Sequence, residues 1–362
     1  MNSCTTWQSR HVGESKVNVP AKTLVHGLNR EQIALVCAEL GQPQYRARQI
    51  WRWLYHHYAE SFSAMKNIPS QLRTQLEERF AIAPLETLQQ QNESGIGSTA
   101  KTLLRLEDGE CIELVFIPAK GRTTLCVSSQ VGCKYKCAFC ASGQGGFCRN
   151  LECGEIVGEV VHAARQLGGA PGHVVFMGIG EPFDNYDNVL SAIRIINDAE
   201  GLSVGARKIT ISTCGIIPGI ERLAREGLQV ELSVSLHASD DALRSKLMPA
   251  NKAYPLADLL AACRQYAEQT GRIITFEYTL IKDVNDSKEQ ARQLARLIGH
   301  IHCRVNLIML STVAEFKGCA PLVETAKMFV NALEKERINA TIRVSKGGNI
   351  NAACGQLRRA LL

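Results

Sequence analysis

The sequence predicts an α/β protein: a partial or full TIM-like barrel, preceded by a small helical region and a β-hairpin. Three observations carry this. After Pro118, short β-prone runs alternate with helix-like segments, which implies parallel strands with helices packed outside. Six or seven such units follow one another, enough for most of a barrel. Small and polar residues gather at nearly every strand end, where barrels carry their ligand sites. A doubly wound sheet is the competing architecture.

The elements follow in order. The opening MNSCTTWQSRHVGES lacks the apolar core of a secretory signal, and residues 1–22 read as a floppy polar leader. Residues 23–95 read as a helical accessory region. NREQIALVCAEL opens on Asn29, a good N-cap, and continues with apolar residues at helical spacing. QYRARQIWRWLYHHYA carries Trp51, Trp53, Tyr55 and Tyr58 with Arg46, Arg48 and Arg52 between them. Such a face could grip RNA by stacking and phosphate contact; filling a small bundle is the commoner use of such rings. Residues 96–118 read as a hairpin, KTLLRL and CIELVFIP joined at Asp108-Gly109. From residue 119 onward TTLCVSS, HVVFMGI, RKITIST, VELSVSL, IITFEYTLI, RVNLIML and ATIRVS are the barrel strands. GEIVGEVVHAARQL, YDNVLSAIRIINDA and SKEQARQLARLIGH are among the helices between them.

Composition narrows the class. The chain has 362 residues, 45% hydrophobic and 21% charged, as in an ordinary globular protein. No apolar run is long enough to span a membrane, so no membrane partner and a cytoplasmic location are expected. Fourteen cysteines without an export signal point to metal or redox chemistry rather than disulfides. Cys37 and Cys263 lie on apolar helical faces and read as core residues. The net charge is +6, and from Arg337 onward the chain has no acidic residue but holds Arg343, Lys346, Arg358 and Arg359. A basic surface favours a polyanion such as nucleic acid. A solvated tail explains the same charges equally well.

GCKYKCAFCASG holds Cys133, Cys137 and Cys140 in a C-x3-C-x2-C array. A structural zinc site needs four protein ligands, with Cys148 or Cys153 as the candidate fourth. A [4Fe–4S] cluster also usually takes four thiolates. Three would leave one iron open to bind a small molecule and hand it an electron. Downstream, GIGEP places Gly180 and Glu181 after the second strand: glycine admits a ligand close to the backbone, and a carboxylate can hold an ammonium group. Ser212, Ser235 and His237 end later strands and could hydrogen-bond the same ligand.

The cysteine array, with Phe139 before its third cysteine, resembles the signature of radical S-adenosylmethionine (SAM) enzymes, and GIGEP resembles their glycine-glutamate motif. TLCVSSQVGC (residues 124–133) and NAACGQL (residues 351–357) closely resemble the RlmN/Cfr family of radical SAM RNA methyltransferases, a likeness running from about Leu28 to Leu357. The resemblance implies a radical SAM barrel, a [4Fe–4S] cluster on Cys133, Cys137 and Cys140, and SAM held by Phe139, Gly180, Glu181, Ser212, Ser235, Leu236, His237 and Ser311. It implies methylation of carbon 2 of an adenosine in 23S rRNA, and in some members of tRNA. A Cfr-like reaction at carbon 8, or a non-RNA substrate, is the alternative. GQGGF after the array is closer to the carbon-2 branch. By the same resemblance Cys354 carries the methyl group, Cys126 resolves the adduct through a transient disulfide, Glu113 accepts a proton, and an electron donor such as flavodoxin or ferredoxin is the protein partner. Three positions depart from the family pattern: Asn349 and Asn351 replace aspartates, and Ser311 replaces an asparagine. Cys148 also stands where the family usually has asparagine, with no role implied.

Overall fold

Asn29 starts the first helix as its residue type demands. Its side chain accepts from the Gln32 amide, and the Gln32 side chain accepts from the Asn29 amide, each at 2.8 Å. The computed structural model describes residues 22–95, 98–119, 121–343 and 345–359. Apart from Lys22, the expected leader lies outside the described residues. Three helices follow: α1 (Arg30–Glu39), α2 (Tyr45–Tyr55) and α3 (Ser70–Arg79). They are closed by a small parallel pair, β1 (Thr23–Leu24) with β2 (Phe80–Ala81). On α2, Trp51 and Tyr55 are buried and fill the bundle. Trp53 and the following Tyr58 are half-buried, while Arg48 and Arg52 face solvent. Packing is therefore the observed use of two of the four rings.

Glu86–Asn92, inside the stretch expected to be helical, is a strand, β3. Its sequence, ETLQQQN, has no apolar alternation to signal one. It forms by pairing with the hairpin of β4 (Ala100–Arg105) and β5 (Cys111–Ala119). The hairpin turn falls where Asp108-Gly109 placed it: Gly109 adopts φ +87° and its amide donates to the Leu106 carbonyl.

The hairpin is part of the main sheet. β6 (Arg122–Cys126) runs antiparallel to β5 and parallel to β9 (His173–Phe176). β10 (Ile209–Thr213), β11 (Glu231–Ser235), β12 (Ile274–Leu280), β13 (Cys303–Met309) and β14 (Ala340–Arg343) then add in sequence order, all parallel. A doubly wound sheet reverses its strand order at a switch point. This ten-stranded sheet does not, and its end strands β3 and β14 are unpaired with each other. It is a partial barrel of seven parallel strands with an antiparallel flank. α4 (Cys153–Leu167), α5 (Tyr186–Asn197), α6 (Ile217–Arg225), α7 (Asp241–Leu247), α8 (Leu256–Thr270), α9 (Lys288–Ile298) and α10 (Val323–Lys335) occupy the connections. A short hairpin, β7 (Gln130–Gly132) with β8 (Phe147–Asn150), brackets the cysteine loop.

One hydrophobic core runs unbroken from the N-terminal helices into the barrel. Contact is closest where α4 begins: a Cβ on Gly154 would lie 2.5 Å from Leu24 Cβ, so only glycine fits. Cys37 and Cys263 are core residues, both fully buried. The C-terminal arginines, in contrast, are not a free basic tail. Arg359 pairs with Glu110, Arg358 with Glu315, and Arg343 turns inward. Acidic partners distant in sequence take up charges that looked unopposed along the chain. Among the described residues no helix is long and apolar enough to cross a membrane.

Candidate active site

The cysteine loop is held by backbone bonds on every side. Gly132, at φ +77°, passes so close to the Gly146 carbonyl that a Cβ would lie 1.9 Å from its oxygen. The Cys133 amide donates to that carbonyl, and the Ala138 amide donates to the Leu247 carbonyl at the end of α7. The Ala141 amide donates to the Gly355 carbonyl at 2.7 Å, and Ser142 Oγ donates to the Leu357 carbonyl. The last two bonds fasten the C-terminal segment, and with it Cys354, against the array. Cys354 and Cys140 are 214 residues apart in sequence, so only the fold brings them together.

Cys133, Cys137 and Cys140 line one cavity of about 160 Å³ at the C-terminal ends of the strands. Phe139, Gly180, Glu181, Ser212, Ser235, His237, Ser311 and Cys354 share its wall. Leu236 does not: its side chain is fully buried in the core, and its amide donates to the Glu277 carbonyl. No three His, Cys, Asp or Glu groups among the described residues converge to hold a single metal ion. All three thiols nonetheless line one cavity, and thiolate is the donor iron–sulfur clusters take. Burial pushes the Cys133 thiol up to about 12 and raises Cys137 and Cys140 as well. Ionising all three together needs the positive charge that bound iron supplies.

Gly180 takes φ +107° against Gln130, where a Cβ would lie 2.5 Å from the Gln130 Cβ. This sets the Glu181 carboxylate across two amides: Oε1 accepts from Phe183 and Oε2 from Cys214, at 3.0 and 2.7 Å. Burial raises its pKa and these bonds oppose the rise. Each oxygen keeps a lone pair for a cationic group in the cavity. His237 sits at φ +57° with its ring edge-on to Phe139. Its Nδ1 accepts from the Thr279 amide at 2.8 Å, leaving the proton on Nε2. Burial, then the nearby Arg244 charge, lowers it to about 3, so the ring is neutral.

Cys354 also lines a second cavity, shared with Cys126, Met177 and Arg343. Cys126 ends β6 beside Val115 and Val175. It is buried, and desolvation followed by the neighbouring Cys354 pushes its thiol up to about 12, with Arg343 opposing. The thirteen described cysteines are all unbridged. Glu113 lies behind the C-terminal loop, in a third cavity with Lys101, Asn351 and Arg358. One of its oxygens meets Lys101 Nζ at 2.7 Å, and the other accepts from the Arg358 amide at 2.8 Å. Lys101 Nζ also donates to the Asn351 carbonyl. Asn351 adopts φ +52°, a left-handed turn that asparagine tolerates better than most residues.

Sequence reasoning missed Cys214, Glu277 and Arg343, which also line the first cavity. Glu277 and Arg343 had a legible signal: each is the one charge in an otherwise uncharged barrel strand. Cys214 follows Ser212 by two residues at a strand end already singled out.

Comparisons agree with this geometry. The Radical SAM superfamily profile matches residues 127–295, and the ribosomal RNA large subunit methyltransferase N-terminal domain profile matches residues 24–82. A probable dual-specificity RNA methyltransferase RlmN of Symbiobacterium thermophilum is 46% identical over 92% of this chain and 90% of its own length. Its namesake from Geobacillus kaustophilus is 45% identical over 96% of this chain and 95% of its own. The crystal structure of a radical SAM methyltransferase from Sphaerobacter thermophilus superposes with a TM-score of 0.89 at 45% identity, over 92% of this chain and 99% of that one. Profile, relatives and cavity agree on a [4Fe–4S] cluster and SAM as the cofactors: this chain belongs to the RlmN family of radical SAM proteins.

Proposed function

We propose that the chain is a radical SAM RNA methyltransferase acting on carbon 2 of an adenosine in 23S rRNA, with tRNA as a second substrate. The observation that carries this reading is the position of Cys354 on the wall shared by two cavities, one ringed by the three-cysteine array and the other holding Cys126. A direct polar methyl transfer to carbon 2 is poor chemistry, because that ring carbon is electron-deficient. A thiol that carries the methyl group between the two cavities meets this difficulty.

In this reading Cys133, Cys137 and Cys140 hold the cluster, and Glu181, Ser212, Ser235, His237 and Ser311 hold SAM beside it. When bound, cluster and SAM supply a methyl group and, on reduction, a radical able to abstract hydrogen. Cys354 loses its proton and takes the methyl group as a thioether. Loss of one hydrogen atom from that S-methyl group lets its carbon add to the adenine ring. The ring radical formed by that addition loses its carbon-2 proton and one electron, the electron returning to the reducing centre that would have supplied the first. Cys126, its own proton removed, then attacks the Cys354 sulfur. The carbon–sulfur bond breaks, the freed methylene carbon takes up a proton, and a disulfide and the methylated base result. Two electrons and two protons from outside return both thiols. Burial raises the Cys126 thiol, so its proton has to be taken up by another group as it attacks. Glu113 is assigned the ring proton on the family resemblance alone. Its ion pair with Lys101 and its bond to the Arg358 amide give it a second task, holding the Cys354 loop.

The test is mass spectrometry of nucleosides from RNA treated anaerobically with reconstituted enzyme, SAM and a reductant. 2-Methyladenosine is expected from the wild-type protein. Cys126→Ala should trap RNA covalently on Cys354, and Cys137→Ala should lose both iron and SAM cleavage. A product containing only 8-methyladenosine would overturn the regiochemistry. Normal turnover by Cys126→Ala would sink the two-cysteine scheme.

A further inference from the structure

Arg244 on α7 is fully buried, and no carboxylate contacts its guanidinium among the described residues. Nη1 donates to Asn251 Oδ1 at 2.7 Å, and Nη2 donates to the carbonyls of Cys214 and Ser235 at 2.9 and 3.1 Å. Nε has no partner there at all. Asp241 lies within electrostatic range, but it is exposed and its carboxylate is taken up by Asn251 Nδ2 and the Leu256 amide. The less deeply buried Arg149 and Arg272, by contrast, are each paired with a glutamate. A buried cation without an anion is costly. Something on its far side must compensate.

The two carbonyls that Nη2 grips belong to Cys214 and Ser235, both on the wall of the first cavity. Leu247 and Met248, just beyond Arg244, pack against Cys137, Phe139 and Cys214. The guanidinium thus lies directly behind the cavity wall that also carries the three-cysteine array, bonded to it through the Cys214 and Ser235 carbonyls. We propose that Arg244 is the fixed counter-charge of the iron–sulfur cluster, favouring the reduced state and raising the potential at which the cluster accepts its electron. This rests on the reading that Cys133, Cys137 and Cys140 hold that cluster. One-electron reduction, from a donor outside the chain, adds one negative charge to a centre already carrying three thiolates. A fixed cation in the low-dielectric layer beneath it stabilises that charge, and net local charge is among the main determinants of cluster potential. Arginine suits the place because its planar fork serves an amide oxygen and three carbonyls, that of Tyr254 besides those of Cys214 and Ser235, while remaining charged. Arg244 touches no substrate; it acts through the cluster.

The test is an anaerobic redox titration of the holoenzyme, with the reduced cluster read by electron paramagnetic resonance. Iron content and thermal midpoint are measured on the same samples. Arg244→Gln is expected to lower the reduced-to-oxidised ratio at fixed poise about tenfold, about 59 mV for one electron. Arg244→Lys, which keeps the charge, should stay close to wild type. Asn251→Asp, isosteric and already accepting from Nη1, sets a carboxylate directly on the guanidinium and should shift the potential downward without removing the carbonyl bonds. An iron-loaded Arg244→Gln protein with the wild-type potential overturns the proposal. So does an Arg244→Lys protein shifted as far as Arg244→Gln, since a purely structural role is lost in both. If Arg244→Gln does not fold, an unmoved potential in an iron-loaded Asn251→Asp protein overturns it instead. A wild-type protein that holds no iron–sulfur cluster overturns the cysteine assignment, a separate outcome.

Discussion

Cys126 and Cys354 are the same residue type in opposite settings. Cys354 is exposed on a loop, while Cys126 is buried at a strand end with its thiol near 12. At pH 8 about one Cys126 in ten thousand is then thiolate, the form that reacts. Iodoacetamide footprinting of the native protein at that pH should label Cys354 and spare Cys126, and denaturation should make both reactive. Equal labelling in the native state would contradict the cavity geometry. The Lys101–Glu113 pair is a second residue-scale device. Lys101→Met leaves the Glu113 carboxylate buried without its cation, which costs about 3–5 kcal/mol. It also removes the donor to the Asn351 carbonyl, so the segment bearing Cys354 should be cut faster by protease. Glu113→Leu in the same protein should recover much of the stability, because two apolar groups tolerate the site better than one unpaired charge. Denaturant midpoints and limited proteolysis read the two effects separately.

At the scale of elements, the junction of α4 with the N-terminal segment is the sensitive contact. Gly154→Ala would press its Cβ onto Leu24, and about 1–3 kcal/mol of destabilisation is expected. A circular-dichroism melt of the variant measures it. Beside this junction His26 is buried, with Nδ1 accepting from the Ala83 amide and Nε2 unpartnered among the described residues. Burial, then Arg165, lowers its pKa from 6.5 to about 3. Above pH 6.5 neither folded nor unfolded chain protonates it, and the neutral ring fits. Between pH 6.5 and 3 the unfolded chain gains a proton that the folded chain refuses. Stability should therefore fall with acidification by up to about 1.4 kcal/mol per pH unit from this residue. His26→Asn should show a shallower fall over that window in urea titrations at successive pH values. An unchanged slope would refute the buried neutral ring.

For the whole molecule, the continuous core makes a mechanical prediction. In a Trp7→Phe protein, which lacks the third tryptophan, fluorescence comes from Trp51 and Trp53 on α2 and reports the N-terminal helices, while far-ultraviolet circular dichroism is weighted towards the barrel. Because one hydrophobic core joins the two, both signals should change at the same urea concentration. Two separated transitions would show that the N-terminal helices fold alone.

Cys126 and Cys354 are marked only by the family resemblance; the sequence by itself determined the class of the barrel, the cysteine array and the glycine-glutamate turn. These depend on period, on spacing within one loop and on backbone demands such as the positive φ of Gly132 and Gly180, all local properties. The tertiary structure decided what depends on contacts between distant segments. It made a strand of Glu86–Asn92, whose pairing partner lies outside its own sequence. It paired Arg358 and Arg359 with Glu315 and Glu110, acidic partners that the run of cations along the chain does not reveal. It set Leu236 in the core although its neighbours Ser235 and His237 line the cavity, because successive side chains leaving a strand point to opposite faces. It tied Glu113 to Lys101, and it buried Arg244 against the Cys214 carbonyl with no acidic contact among the described residues. Charge, burial and proximity are sums over the folded neighbourhood, and no window of sequence contains them.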